Sequence, residues 1–370
     1  MIGTYAYKRY IRPKLFKMSE DDAEIGHEYV MKKLEWLSRH PFLLRFLKLI
    51  TFVRSEKLQQ NLWGLNFPNP IGLAAGMDKY AQALSAWEAL GFGFIDFGGI
   101  TKDEETGNPR PRQFRLAKHK AIINRMRFNN HGADKTRDVL RILPQPKIPR
   151  FCNVGKSVNT LVDDIDKVIE DYTYTVRKLT PYVSGFEINP SSPNSPGLRK
   201  LLGKKMLESL CGAVVQTVRD ECKRLYIPEK PCGVKGSPDA SKEEWAEMIE
   251  ASIHSGIQFL TLVNTTVDKK IPGSVEVYDI QGGMSGRPLF LKALNAVEFA
   301  SKEVCDKLVI IGCGGIFTIN DALSMFRAGA RLLKILTCLV YEGPFTPKNI
   351  NKGILNHLKD CGYEDMSKFL

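Results

Sequence analysis

Residues 308–336, LVIIGCGGIFTINDALSMFRAGARLLKIL, contain a complete strand–helix–strand unit. Leu308–Gly312 and Leu332–Leu336 are short apolar runs, and the apolar residues of Ile319–Ala328 recur at helical spacing. A helix between two strands returns the chain to the same end of the sheet, so the strands lie parallel. The fold class therefore depends on how often this unit recurs.

The unit recurs from about residue 70 onward. The predicted strands are Pro70–Ala75, Phe92–Phe97, Arg150–Val154, Val183–Ile188, Cys232–Lys235, Phe259–Val263, Leu308–Gly312 and Leu332–Leu336. The segments between them with helical periodicity include Ala81–Leu90, Asp163–Leu179, Lys242–Ser255, Leu289–Cys305 and Ile319–Ala328. Eight alternating strands predict an α/β fold, a closed (β/α)8 TIM barrel.

Doubly wound sheets also alternate strands and helices, so the residues at the strand ends supply a second test. Glycine or polar residues suited to a site stand at or just after each strand. They are Gly76 and Lys79, Gly98 and Gly99, Asn153, Asn189, Lys235, Asn264, Gly314 and Gly315, and Thr337. Barrel enzymes place their sites at the C-terminal strand ends. This distribution therefore favours a functional rim on a barrel over the ordinary polarity of loops.

Composition limits the class of protein. With 370 residues, 43% hydrophobic and 25% charged, the chain is expected to be one large domain with a short appendage, and disorder is excluded. Eight cysteines without a C-x-x-C pair indicate neither a disulfide framework nor a metal site. The net charge of +12 suggests an anionic partner, which is nucleic acid, an acidic small molecule or a membrane surface.

The first 60 residues do not follow the strand–helix alternation. Ser19 and Asp22 suggest a capping box that opens a helix with Val30, Leu34 and Leu37 on one face. A second amphipathic helix is expected in the apolar stretch 41–52, PFLLRFLKLITF, which is too short to cross a membrane. Basic and tyrosine residues at 1–19 suit peripheral membrane contact, and a helical cap on the barrel floor is the alternative. We therefore divide the chain into residues 1–60 and a barrel at 61–370.

Two glycine segments indicate a phosphate site. The sequence IGCGGI at 311–316 ends a predicted strand and leads into a helix, where backbone N–H groups bind phosphate well. A second turn, GGMSG at 282–286, offers further N–H and hydroxyl donors. Each segment alone is as well explained by a tight turn, but together they favour a phosphorylated cofactor.

Several amide side chains follow other strands. Asparagines in 124–130, 188–199 and 263–267 can recognise imide or amide edges, because each offers a donor and an acceptor. Lys79 and Lys235 can supply positive charge, and Lys235 is an unexpected residue at the end of an apolar strand. Ser192 can act as a base only with a proton relay or an acidic C–H.

These segments together resemble the class 2 dihydroorotate dehydrogenases, which are quinone-dependent and membrane-associated. The resemblance covers residues 8 to 360 and is carried by NPIGLAAGMDK (69–79), GNPRPRQFRL (107–116), NRMRFNNHG (124–132), INPSSPNSPGLR (188–199), VNTTV (263–267), GGMSGRPL (282–289) and IGCGGI (311–316). It implies FMN on the barrel rim and dihydroorotate or orotate stacked against it. It also implies that quinone reoxidises the flavin and enters beside the N-terminal helices.

The resemblance assigns a role to each matching position. Ser192 is similar to the serine base that removes the C5 proton of the substrate. Substrate contacts are implied for Lys79, Asn124, Phe128, Asn189, Asn194, Asn264 and Thr265. Flavin contacts are implied for Ala75, Gly76, Gly99, Asn153, Asn189, Lys235, Val263, Ser285, Gly286, Gly314, Gly315, Leu336 and Thr337. No metal and no nucleic-acid partner are implied.

Three positions depart from the family's pattern. Gly99 replaces a serine or threonine, Leu336 replaces a frequent aromatic residue, and Arg127 stands where glycine is usual. A residue with a Cβ in left-handed backbone costs roughly 1–2 kcal/mol, whereas arginine could attract the substrate carboxylate. We expect strain and bulk to outweigh attraction at Arg127. The N-terminus resembles short bacterial forms, which favours the bacterial cytoplasmic membrane over the mitochondrial inner membrane.

Two other functions are compatible with parts of the sequence. A dihydrouridine synthase is another FMN barrel, and its RNA substrate would suit the positive charge, although no RNA-binding appendage is visible. A flavin barrel that has lost activity is the second, because Arg127 departs from the family's pattern.

Overall fold

The computed structural model of the protein describes residues 2–144, 146–276 and 278–369. Eight parallel strands form a closed barrel in sequence order. They are β1 (Ile71–Leu73), β2 (Phe94–Ile100), β3 (Arg150–Val154), β4 (Gly185–Ile188), β5 (Cys232–Lys235), β6 (Phe259–Thr261), β7 (Val309–Cys313) and β8 (Leu332–Ile335). The pairing of Leu333 with Ile71 joins β8 to β1 and closes the barrel. The predicted TIM barrel is confirmed.

Helices surround this barrel and extend it at both chain ends. The N-terminal helices are α1 (Ile2–Ala6), a π-helical turn (Tyr7–Ile11), α2 (Arg12–Met18), α3 (Ala23–Ser38) and α4 (Pro41–Thr51). The remaining helices are α5 (Leu84–Ala89), α6 (Gly132–Ile142), α7 (Ile165–Leu179), α8 (Lys204–Leu225), α9 (Lys242–His254), α10 (Phe290–Glu303), α11 (Ile319–Arg327), α12 (Thr337–Glu342), α13 (Thr346–Asp360) and α14 (Met366–Phe369).

Two small antiparallel sheets complete the fold. The hairpin Gln60–Leu62 and Leu65–Phe67 packs against an aromatic cluster that includes Phe94 and Phe259, at the starts of β2 and β6. This hairpin therefore closes the N-terminal end of the barrel. The second sheet joins Gln113–Leu116, Ala121–Asn124 and Gly283–Gly286, and thereby connects two of the segments predicted to form the site. The barrel floor is thus covered by the hairpin rather than by the N-terminal helices.

The two predicted N-terminal helices are present, but the predicted cap of the first is wrong. Asp22, not Ser19, caps α3, because its Oδ1 accepts a hydrogen bond from Glu24 N at 2.9 Å. Ser19 instead follows α2, where its hydroxyl donates to Leu15 O at 2.7 Å. Residues 2–18 form a further helical segment that the sequence did not indicate.

The limits of the second strand also differ from the prediction. Gly98 and Gly99 were expected after the strand, but they lie within β2, which continues to Ile100. The pairing of β2 with β3 shifts register between Gly98 and Ile100, so the strand bends as it reaches the rim. In the described part of the chain, no helix is long and apolar enough to cross a membrane.

Candidate functional site

A cavity of about 510 Å³ opens at the C-terminal ends of the barrel strands. Every residue for which the sequence predicted a substrate or flavin contact borders it, including those contributed by widely separated segments such as Ala75, Val263 and Leu336. The N-terminal helices border the same cavity from the other side. The cavity therefore has a polar half at the barrel rim and an apolar half beneath these helices.

The phosphate-type glycines converge at one end of the polar half. Gly314 and Gly315 have φ values of 105° and 70°, and a Cβ at Gly315 would lie 2.6 Å from the backbone of Phe290. Gly286, with φ of 101°, follows Ser285, and a Cβ there would lie 3.1 Å from Thr337 Cγ2. The hydroxyl of Thr337 donates to Ser285 Oγ at 2.9 Å. These backbone and hydroxyl donors suit a phosphate group at the loops after β7 and β8.

Asparagine and lysine side chains form the centre of the polar half. Asn189 Nδ2 donates to Asn153 Oδ1 at 2.8 Å, and Asn264 Nδ2 donates to Asn189 Oδ1 at 3.2 Å. Lys235 is only 5% exposed and lies 3.8 Å from the Glu187 carboxylate. The prediction that Lys235 is not an ordinary surface lysine is confirmed. A buried ammonium beside fixed amides suits a planar heterocycle with electron-rich nitrogen and oxygen atoms.

Asn124 and Asn194 lie over this centre from two different loops. Asn194 Nδ2 donates to Asn124 Oδ1 at 3.0 Å, which joins the antiparallel sheet to the loop after β4. Within the described residues, the buried Oδ1 of Asn194 has no hydrogen-bond partner. A ligand N–H group is a natural partner for such an acceptor, because leaving it unpaired costs about 1–3 kcal/mol.

Ser192 borders the cavity and is 7% exposed. Its Oγ accepts a hydrogen bond from Asn194 N at 3.4 Å, and no carboxylate or imidazole among the described residues bonds to it. A serine in this setting has no protein group to increase its basicity, so its reactivity depends on the substrate or on water.

Lys79 is a second buried cation at the polar half. Its ammonium group donates to Asn129 Oδ1 and contacts Met126 Sδ at 3.2 Å. Burial lowers the pKa of Lys79 to about 7, and the nearby Glu24 carboxylate acts in the opposite direction. Lys79 can therefore bind an anion as an ammonium group at neutral pH and lose its proton in mildly alkaline solution.

Arg127 has left-handed backbone, as the family's usual glycine at this position suggested. Its φ is 67°, and it borders the cavity next to Phe128. The Phe128 ring lies over Gly99, where an added Cβ would approach the ring to 2.7 Å. Because Gly99 has no side chain, the Phe128 ring can occupy the space above it.

The apolar half of the cavity is a feature that the sequence did not resolve into residues. Its lining includes Leu34, Leu37 and Leu47 from α3 and α4, and the Tyr7 hydroxyl at its edge donates to Val340 O at 2.9 Å. His27 also borders it, and burial together with the charge of Lys79 lowers the pKa of His27 to about 4. At neutral pH this half presents an uncharged imidazole and apolar side chains.

Two charged clusters near the cavity were also missed. Arg112 forms a bidentate ion pair with Glu24 of α3, with both contacts at 2.8 Å. Lys334 lies fully buried inside the barrel between Asp96 and Glu187. The argument applied to Lys235, a lysine in an apolar strand, would have found Lys334, since it interrupts the run LLKIL. No sequence pattern distinguishes Glu24, because its partner comes from a distant loop.

A parallel barrel with a glycine phosphate cradle and a buried lysine on its rim is typical of barrel enzymes that bind a phosphorylated substrate or cofactor. A family profile described as dihydroorotate dehydrogenase matches residues 57–358. The chain belongs to the dihydroorotate dehydrogenase family, which is FMN-dependent. The cradle and the buried donors described above fit FMN. This family match favours dihydroorotate dehydrogenase over the dihydrouridine synthase alternative.

Individual relatives agree with the family match. The dihydroorotate dehydrogenase (quinone) of Chloroflexus aurantiacus is 40% identical, over 95% of this chain and 97% of the relative. The protein of the same name from Salinispora arenicola is also 40% identical, over 91% of this chain and 96% of the relative. The crystal structure of the Eimeria tenella enzyme in complex with ferulenol has a TM-score of 0.83 and 29% identity, and each chain is covered to 96%.

Proposed function

We propose that this protein oxidises dihydroorotate to orotate and transfers the electrons to a quinone. The observation that carries this proposal is the single cavity with two chemically different halves. Its polar half offers the donors and acceptors that a charged pyrimidine needs, and its apolar half suits a quinone ring and tail. The residues that border both halves would hold FMN, which would supply a hydride acceptor for one substrate and a two-electron donor for the other.

The residues of the polar half divide the work of substrate binding. Lys79 would pair with the substrate carboxylate, because an ammonium group in a dry cavity binds an anion strongly. Asn124, Asn194, Asn264 and Thr265 would bond the ring amides, and Phe128 would pack beside the ring. Asn189 lies between these groups and the flavin-contacting residues, so it would contact both ligands.

Ser192 would remove the C5 proton of dihydroorotate while the C6 hydride leaves on the opposite side. Because no carboxylate or imidazole among the described residues bonds to Ser192, its own hydroxyl proton would pass to a water molecule as it takes the C5 proton, so the serine ends the step neutral. The hydrogen bond that the backbone N–H of Asn194 donates to the Ser192 Oγ would hold this oxygen in position.

The rim residues from the glycine cradle to Lys235 would hold the flavin. Gly286, Gly314, Gly315, Ser285 and Thr337 would hold its phosphate and adjoining groups. Its ring would be bordered by Ala75, Gly76, Gly99, Asn153, Val263 and Leu336. Lys235 would place positive charge beside the ring and thereby help it to accept electrons.

Residues 1–60 would provide access for the quinone, and residues 61–370 would form the flavin barrel. On α4, Phe42, Phe46 and Leu49 are exposed by 84%, 64% and 71%, whereas Leu44 and Leu47 pack inward. An outward apolar face beside basic residues suits peripheral attachment to a membrane through residues 1–52. The bacterial cytoplasmic membrane is our preferred location, and the mitochondrial inner membrane is the alternative. The net positive charge of the chain would then attract anionic lipids and the anionic substrate rather than nucleic acid.

Anaerobic addition of dihydroorotate to the purified, FMN-loaded protein tests this function. We expect one equivalent of dihydroorotate to bleach the flavin absorbance and to yield orotate. The rate of bleaching should be at least as high as the turnover rate of the enzyme. A yellow protein that dihydroorotate does not bleach would contradict the proposal and support the inactive barrel.

A further inference from the structure

A network of buried charges lies inside the barrel below the site. Asp96 of β2, Glu187 of β4 and Lys334 of β8 have no exposed side-chain surface. Lys334 Nζ donates to Asp96 Oδ2 at 2.8 Å and to Glu187 Oε1 at 2.7 Å. Buried charges are costly unless paired, and an ion pair of this kind is often no more stable than apolar residues of the same volume. Stability alone therefore gives a weak reason for its presence.

Glu187 connects this charge network to the rim. Its Oε1 accepts from Lys334 and from Thr261 Oγ1 at 2.5 Å, while its Oε2 accepts from Asn153 Nδ2 at 2.6 Å. The Oε2 atom also lies 3.8 Å from Lys235 Nζ. The charges of Lys334 and Lys235 and the hydrogen bond with Asp96 lower the pKa of Glu187, whereas burial and the neighbouring Glu187 raise the pKa of Asp96. Because ammonium, hydroxyl and amide donors converge on both of its oxygens, Glu187 is the ionised member of this carboxylate pair and accepts hydrogen bonds from them.

A chain of hydrogen-bonded amides runs from Glu187 toward the cavity. Because Glu187 accepts from the first amide, the orientation of each amide in the chain is fixed. Because Glu187 takes the Nδ2 group of Asn153, the Oδ1 of Asn153 must face Asn189, which donates to it at 2.8 Å. The Oδ1 of Asn189 is then free to accept from Asn264 Nδ2 at 3.2 Å and from Ser191 Oγ at 3.1 Å. Glu187, inside the barrel, thus determines which atom of each amide donates and which accepts, as far as Asn264 on the substrate side of the cavity.

We propose that Glu187 is a positioning residue that orients the amides of Asn153, Asn189 and Asn264 and restrains Lys235 for ligand binding. A glutamine at this position could donate or accept a hydrogen bond. Asn153 could then rotate its amide by about 180°, and the amides would no longer have one fixed orientation. The negative charge of Glu187 also offsets part of the charge of Lys235 toward the flavin. This inference rests on the proposed function, because the ligands that the amides serve are those of that reaction.

Two readouts separate this role from a purely structural one. In the FMN-loaded Glu187→Gln variant, we expect orotate affinity, measured from the change it causes in flavin absorbance, to fall on the order of tenfold, as for loss of one buried hydrogen bond. We also expect the midpoint potential of the flavin to become more positive, because a negative charge near the ring is removed. A loss of thermal stability by itself would move neither quantity.

Asp96→Asn is the matched control. It replaces the second carboxyl group that bonds the same lysine, the one whose pKa is raised by burial and by Glu187, and Asp96 has no bond to Asn153. We expect it to lower the melting temperature and leave orotate affinity unchanged. If Glu187→Gln does not fold, Glu187→Leu combined with Lys334→Met and Asp96→Asn removes all three charges as a unit, which cores often tolerate, and should show the same loss of orotate affinity.

The outcomes distinguish this inference from the proposed function. Failure of the unaltered protein to bind orotate would contradict the proposed function itself. Normal binding by the unaltered protein, together with equal affinity and equal potential in the folded Glu187 variants, would overturn the role of Glu187 and leave the proposed function intact.

Discussion

A buried lysine is a useful anion receptor only over the pH range in which it stays protonated. Lys79 has lost most of its water contact, and burial lowers its pKa to about 7. Asn129 and Met126 solvate its ammonium group only in part. The carboxylate of the substrate would supply the missing negative charge, and the lysine would be more basic in the complex than in the free protein.

This difference predicts a pH dependence of ligand binding. Orotate affinity should fall as the pH rises above 7, by up to roughly tenfold per pH unit, because the free protein must take up a proton to bind. Titration of flavin absorbance with orotate between pH 6 and 9 measures the effect. The Lys79→Met variant should bind more weakly and show no such slope, and an equal slope in both proteins would disprove the role of Lys79.

Ser192 permits a direct test of proton removal. Ser192→Ala should retain FMN but slow anaerobic reduction by dihydroorotate by about two to four orders of magnitude, the usual range for a lost general base. Ser192→Cys keeps an ionisable group at the same position and should retain more of the rate. Stopped-flow absorbance measures each reaction, and unchanged reduction in the alanine variant would refute the assignment.

Arg127 combines backbone strain with a positive charge at the cavity. Since its φ is 67°, Arg127→Gly should relieve strain, preserve or raise the melting temperature, and raise kcat/KM for dihydroorotate. Arg127→Ala is the control, because it removes the guanidinium group but keeps the Cβ and hence the strain. Weaker orotate binding in both variants would show instead that the guanidinium group is a ligand.

At the scale of elements, the N-terminal helices show what spacing alone can determine. The apolar face containing Val30, Leu34 and Leu37 predicted α3, and all three residues border the cavity. The cap was misassigned because Ser19 and Asp22 both suit helix starts, and the choice depends on Arg115, whose guanidinium group takes Ser19 as a partner. Contacts across 96 residues leave no periodic signal in the sequence.

The outward face of α4 gives a prediction at the same scale. Replacing Phe42, Phe46 and Leu49 by serine should weaken binding to vesicles containing anionic lipid on the order of tenfold or more, because three apolar side chains no longer leave water. Reduction by dihydroorotate should be unaffected. Vesicle co-sedimentation measures the binding. Serine at Ile142, Leu161 and Val275, three other exposed apolar residues, is the matched control, and equal loss in that variant would contradict a specific role for α4.

For the whole molecule, the barrel and most of its rim were predictable because both depend on local patterns. Short apolar runs mark the strands, and the parallel topology brings their C-terminal ends together, so Gly314, Asn153 and Lys235 could be assigned to one site in advance. The interior charges were not found, because Glu187 and Asp96 acquire meaning only beside Lys334. The apolar half was not resolved either, since it arises where α3 and α4 meet the rim.

In the proposed reaction, one cavity transfers electrons between a polar and an apolar substrate. A sequential anaerobic stopped-flow experiment tests it most directly: one equivalent of dihydroorotate is added to the FMN-loaded protein, followed by one equivalent of a short-chain quinone. We predict that the first addition bleaches the flavin and that the second restores its absorbance within the turnover time, whereas NAD⁺ or fumarate in place of the quinone does not. A reduced flavin that the quinone fails to reoxidise would contradict the account.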